Sequence, residues 1–165
     1  MYITYEEYAD LYDQVEERLF KQFLFEAERM MDIHTTSIDN VKKLRKFFPT
    51  DENNAEAVRR CAAKLINTLH QIHKSEITIM ETRAYETTEY GLRGKVIVSE
   101  SAGNESISYS TGKNTESTAI DAAVKDKTAR DKMMAGIVWQ YLRGVEDDNG
   151  VGLLFMGMYP RQFLR

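Results

Sequence analysis

At 165 residues, 42% of them hydrophobic, the chain is long enough for one domain with a real core and too short for two comfortable ones. A formal net charge of -4 argues against a protein whose main work is gripping phosphates, because nucleic-acid affinity comes mostly from clustered Lys and Arg. One cysteine, Cys61, excludes an intrachain disulfide framework or a four-thiolate zinc site. The longest apolar run, "GVGLLFMGMY", is far below the roughly 20 residues needed to span a bilayer, so the expectation is a soluble protein made in a reducing cytoplasm.

Thr4-x-x-Glu7 reads as a capping box, in which a hydroxyl and a carboxylate each satisfy an orphan amide, and it predicts a short helix from about Tyr5 to Asp13. From Val15 to Ile33 the set Val15, Leu19, Phe20, Phe23, Leu24, Ala27, Met30 and Met31 recurs at three- and four-residue steps, which predicts a core helix. "DIHTTSIDN" interrupts it, and "VKKLRKFF" makes two more turns before Pro49. Thr50 and Asp51 can cap the next helix, where Val58, Cys61, Ala62, Leu65, Leu69 and Ile72 form a stripe with Arg59, Arg60, Lys64 and Asn67 outside it.

Composition then shifts: 16 of the 33 residues from Tyr85 to Ser117 are Ser, Thr, Gly or Asn, and no stripe of helical period runs through them. Ser117 or Thr118 can cap one last long helix to about Leu142, with Ile120, Ala123, Val124, Met133, Met134, Ile137, Val138 and Tyr141 among its inward positions and a solvated "KDKTARDK" between. "GVEDDNGVG" ends it, and "LLFMGMYPRQFLR" leaves as an extended or turn-rich tail. The expected fold is therefore mainly α, as one domain over 1–165: a small helical bundle (1–84), a β-hairpin or loop arm (85–117), a long helix (118–143) and a C-terminal tail (144–165).

No constellation of nucleophile, base and orienting group converges anywhere, which argues against an enzyme and implies no cofactor. His70-x-x-His73 with Glu76 has the spacing of a metal site but lacks a second ligand pair, so two surface or half-buried histidines are the simpler reading. Cys61 sits among alanines mid-helix, where burial leaves a thiol inert. "GVGLLFMG" lacks the lysine, strand and helix that a phosphate loop requires. The acidic pairs Glu6-Glu7, Glu16-Glu17 and Asp147-Asp148 project in different directions and read as solvated faces. "VKKLRKFF" followed by a turn and a helix suggests helix-turn-helix recognition, but that helix opens on "DENNAEAV", an acidic turn poorly suited to a major groove.

Within the polar segment, "KVIVSESAGNESISYS" alternates around a turn. A four-residue loop, Ser101 to Asn104, pairs Val98 with Ile107 and Val96 with Tyr109 but sets Glu100 opposite Glu105; a two-residue Gly103-Asn104 loop pairs Val98 with Tyr109 and Glu100 with Ile107. Either way Val96, Val98, Ile107 and Tyr109 share a face too small to fix an isolated hairpin, so a second chain is the simplest receiver and a surface loop of no consequence is the bland reading. In the tail, Leu153, Leu154, Phe155 and Met156, with Tyr159 and Phe163, either fold back on the bundle or extend into a partner.

Four stretches in this order, "ITYEEY", "FEAERMMDIHT", "SESAGNESISYS" and "GLLFMG", give the chain a resemblance that covers most of its length. It resembles the small, mainly helical head-tail connector proteins of long-tailed bacteriophages and defective prophages. The resemblance implies a structural virion protein at the neck, synthesised in the bacterial cytoplasm, whose copies form a ring that docks beneath the portal of the filled head. Val96 to Tyr109 would then touch a neighbouring copy or line the axial passage, and Leu153 to Met156 would contact the portal or an adjacent subunit. The implied partners are the portal protein, other copies of the chain and the next ring or tail-completion protein, with DNA passing through unread and no membrane involved. A small helical DNA-binding regulator and a helical protein-interaction module are the competing expectations.

Overall fold

The computed structural model describes the backbone of residues 1–12, 15–83, 87–88, 91–92, 99–102, 105–108 and 119–164, and the side chains of 1–12, 15–78 and 119–164. Six α-helices lie among the described residues: α1 (Tyr5–Leu11), α2 (Glu17–Thr35), α3 (Lys43–Lys46), α4 (Glu52–Arg83), α5 (Ala119–Lys125) and α6 (Lys127–Leu142), followed by a 3-10 turn, Arg161–Phe163. The fold is mainly helical.

Helix α1 begins on the expected capping box. The Glu7 amide donates to Thr4 Oγ1 (3.2 Å) and the Thr4 amide donates to Glu7 Oε2 (2.7 Å). It stops at Leu11, two residues before the expected end, where Tyr12 turns extended. On α2 the residues Phe20, Phe23, Ala27 and Met31 are buried, with Leu19, Leu24 and Met30 half-buried beside them, so the periodic stripe is the core face.

Helix α4 is the axis of the fold. Its 32 residues make a rod about 48 Å long, packed by α2, α5 and α6. Between Cys61 and Leu69 its described side chains are buried nearly all round, Lys64 excepted. Asn67, expected outside the stripe, is buried because neighbours cover that flank too. Arg59 ties α1 to this axis through Glu7 (3.3 Å) and also reaches Glu52 (3.0 Å).

The single long helix expected over 118–143 is two helices. Asp126 is extended and its carboxylate accepts the Thr128 amide (2.9 Å), so an acidic residue inside "KDKT" caps a new helix where continuous helix was expected. Arg130 ties the pieces together, donating from Nε to the Ala123 carbonyl (3.2 Å), while its guanidinium pairs with Glu76 of α4. Met134, Ile137, Val138 and Leu142 of α6 then join one continuous core that runs from Tyr2 to Leu153.

Between α4 and α5 lie two short antiparallel ladders, β1 (Thr87–Thr88) with β2 (Gly91–Leu92) and β3 (Ser99–Ala102) with β4 (Glu105–Ser108). In the second, Glu100 pairs with Ile107, the register of the two-residue turn. The expected protruding arm is not supported by these ladders. Of its four apolar residues Ile107 lies in β4, and Val96, Val98 and Tyr109 lie outside the described residues. The paired residues are mostly Ser and Glu, so the ladder does not express the apolar alternation that suggested an arm.

Candidate functional site

Of the extended or turn-rich tail expected after α6, the structure shows the turn-rich form, folded back on the bundle. Helix α6 ends at Leu142, Gly144 adopts a left-handed φ of 81°, and the chain reverses through a tight turn centred on Asp148 to Gly150. The Asp147 amide donates to the Val151 carbonyl (2.9 Å) and the Leu153 amide to the Val145 carbonyl (2.8 Å). The returning strand therefore puts Leu153 into the core, where it is fully buried.

Asp147 organises this turn. Expected on a solvated face, it is buried, and one carboxylate oxygen accepts the Asn149 and Val151 amides (both 2.9 Å) while the other accepts the Tyr159 hydroxyl (2.6 Å). The Tyr159 ring stacks on Phe47, centroids 5.0 Å apart and planes 5° off parallel, and its amide donates to Asp39 Oδ1 (3.1 Å). Burial, followed by the bond to Asp147, pushes the Tyr159 hydroxyl well above its ordinary pKa, so it stays a donor.

Lys43 completes the clamp from the other side. Although "VKKLRKFF" reads as a basic patch, Lys43 is fully buried, and its Nζ donates to the carbonyls of Gly152 (2.8 Å) and Phe155 (2.7 Å). Burial lowers its pKa and the nearby Asp147 charge opposes that shift. Arg45 of the same stretch pairs with Asp32 (2.5 Å). Two of the four basic residues are thus committed to internal contacts, and α3 spans only four residues, which weakens the helix-turn-helix expectation.

The clamp holds the backbone of 152–159 and displays what it cannot bury. Phe155 (51% exposed), Met156 (54%) and Met158 (59%) form an apolar knuckle, and Ile38 (76%) stands beside it, its amide donating to the Gly157 carbonyl (3.4 Å). The Phe155 ring lies over Gly157 so closely that a Cβ there would collide with it. Of the four tail residues singled out from the sequence, Leu153 is core, Leu154 packs partly against the core, and Phe155 and Met156 face outward. Ile38, Met158 and the clamp residues Lys43 and Asp147 were missed, while Tyr159, expected within the tail's apolar cluster, is buried against Phe47. The "DNG" turn was a signal for Asp147; nothing in the pattern around Lys43 distinguishes it from its solvated neighbour Lys42.

The other candidate chemistry does not assemble. His70 is buried with Nδ1 unpartnered among the described residues, His73 packs edge-on against Phe23 (5.7 Å), and Glu76 is engaged by Arg130. Among the described residues no three His, Cys, Asp or Glu side chains group as a metal site. The Cys61 thiol is pushed up to about 12 by burial, which keeps it from acting as a thiolate. The "GVGLLFMG" amides of Leu153 and Phe155 are spent on internal carbonyls. No helix among the described residues is long and apolar enough to cross a membrane.

No family model, curated protein or solved structure matches the chain.

Proposed function

We propose that the chain is a structural ring subunit of a phage neck, a head-tail connector that docks beneath the portal and joins the DNA-filled head to the tail. The observation that carries this reading is the knuckle of Phe155, Met156 and Met158, large apolar side chains held outward on a backbone fixed by Lys43 and Tyr159. A preorganised apolar cluster of that kind gives up little entropy on docking and marks a protein interface. It falls in "GLLFMG", one of the four stretches behind the resemblance to head-tail connectors.

In this reading Phe155 and Met156 meet the portal or an adjacent subunit, and Leu153 serves from inside by anchoring them. The segment 85–117, with Val96, Val98, Ile107 and Tyr109, reaches a neighbouring copy or the axial passage. An acidic subunit suits a channel through which DNA must slide without being gripped. The protein works without a cofactor and without catalysis, as part of the virion.

Mixing the chain with its cognate portal protein and imaging the product by electron microscopy tests the reading, with a ring seated on a ring as the expected result. A helical interaction module from outside a virion would use the same knuckle but leave the portal unbound. A DNA regulator would instead bind duplex DNA in a salt-sensitive manner.

A further inference from the structure

A second surface, remote in sequence from the knuckle, runs along the outer side of α2. Phe25, Arg29 and Ile33 follow one another at four-residue steps and so share a face, and Phe25 and Ile33 are both mostly exposed. With Asp32, Thr36, Asn40, Lys42 and Arg45 they line a groove of about 460 Å³.

The electrostatics of this groove are one-sided. Its single carboxylate, Asp32, is already spent, accepting from the Tyr2 hydroxyl and pairing with Arg45. Arg29 and Lys42 are exposed and engage no carboxylate among the described residues. Two free cations therefore flank two exposed apolar side chains, the chemistry of a seat for an acidic segment with an apolar anchor.

The same chain carries that complement at its N-terminal end. On α1, Glu6 and Asp10 stand one turn apart, exposed and without ion-pair partners among the described residues. Leu11 is exposed beside them. The element is held rigid by the Thr4-Glu7 capping box, the buried Tyr8 ring and the Arg59–Glu7 pair, so it presents these groups without first having to be ordered.

We propose that the acidic α1 face of one copy docks in the Phe25–Arg29–Ile33–Lys42 groove of the next, Glu6 and Asp10 meeting Arg29 and Lys42, and Leu11 meeting Phe25 and Ile33. The choice of a second copy as occupant rests on the ring reading above. The pairing of faces rests on opposite charge and on exposed apolar side chains present on both. Because the two faces are different patches of one molecule, the contact can repeat from copy to copy, and it stops at a dimer only where each copy's α1 sits in the other's groove at once.

A charge-swap experiment on the full chain tests it by sedimentation velocity from micromolar to millimolar concentration at low salt. One variant carries Glu6→Lys with Asp10→Lys, the other Arg29→Glu with Lys42→Glu; all four positions are exposed, and circular dichroism checks that helicity is kept. The expected result is self-association of the wild type that weakens with salt, at least about a tenfold weaker dissociation constant for each variant alone, and recovery of association when the two are mixed in equal amounts. A wild type that stays monomeric throughout, a reversal that leaves association unchanged, or a mixture that fails to recover would overturn the proposal. Recovery with species no larger than dimers would support the contact while contradicting the ring. Failure to bind a portal with the charge swap intact would remove the neck function and leave this contact standing.

Discussion

The Lys43 ammonium donates to the main-chain carbonyl of Phe155 at 2.7 Å, so a buried cation holds the backbone of the very residue whose ring is turned to solvent. Replacing Lys43 by Met keeps the aliphatic stem and removes the donor. It leaves the Gly152 and Phe155 carbonyls without this partner, partly offset by relief from burying a charge. The expected outcome is a loss of about 1–3 kcal/mol in denaturant-induced unfolding, with faster amide exchange concentrated in residues 153–159.

Tyr159→Phe removes one hydroxyl that both donates to Asp147 and accepts from Asn149 (3.0 Å) while leaving the ring stack on Phe47 in place. Asp147 keeps its two amide donors, so the turn should persist. A hydrogen bond to a charged acceptor is worth about 1.5–3 kcal/mol, and stability should fall by that order. Thermal unfolding reads the change.

His70 gives the bundle an acid-sensitive side. Burial lowers its pKa below the usual 6.5, helped by Lys74 and His73, so the unfolded chain takes up a proton before the folded one does. Stability is therefore expected to fall as pH drops through and below the unfolded-state value, and to rise with pH across that window. Urea melts at about pH 7 and about pH 5 would show the slope, and His70→Leu should reduce it, leaving the share of His34, whose pKa burial also lowers.

Gly157 permits the seat of the Phe155 ring. Gly157→Ala puts a methyl where that ring lies, and because the ring is half-exposed it can swing away without unfolding anything. The variant should melt within about 0.5 kcal/mol of the wild type, as exposed substitutions usually do, yet bind the portal more weakly. Unchanged binding would mean that the ring's resting position does not matter.

Much of this fold could be read from periodicity. The α2 stripe, the α1 capping box and the apolar face of α4 are local patterns, and each became the element it predicted. What escaped was set by tertiary partners. Asp126 looks like one more charge in a solvated run, and only its cap to Thr128 shows that it divides a helix. Lys43 and Asp147 look like surface charges, and only the returning tail explains why both are buried. The tail itself offered two outcomes, and a fully buried Leu153 decides for folding back, with Phe155 and Met156 left outside. For the alternating stretch around Gly103, the expected apolar face rests on Val96, Val98 and Tyr109, outside the described residues, and the observed pairing of Glu100 with Ile107 gives its turn but not its partner.

The most direct measurement is portal binding by the double variant Phe155→Asp, Met156→Asp, compared with the wild type by co-sedimentation and electron microscopy. Both side chains are exposed, so helicity and melting should be unchanged. Docking through the knuckle means that the wild type caps the portal as a ring and that the variant leaves it bare. A variant that still seats normally, or a wild type that never binds, would contradict it.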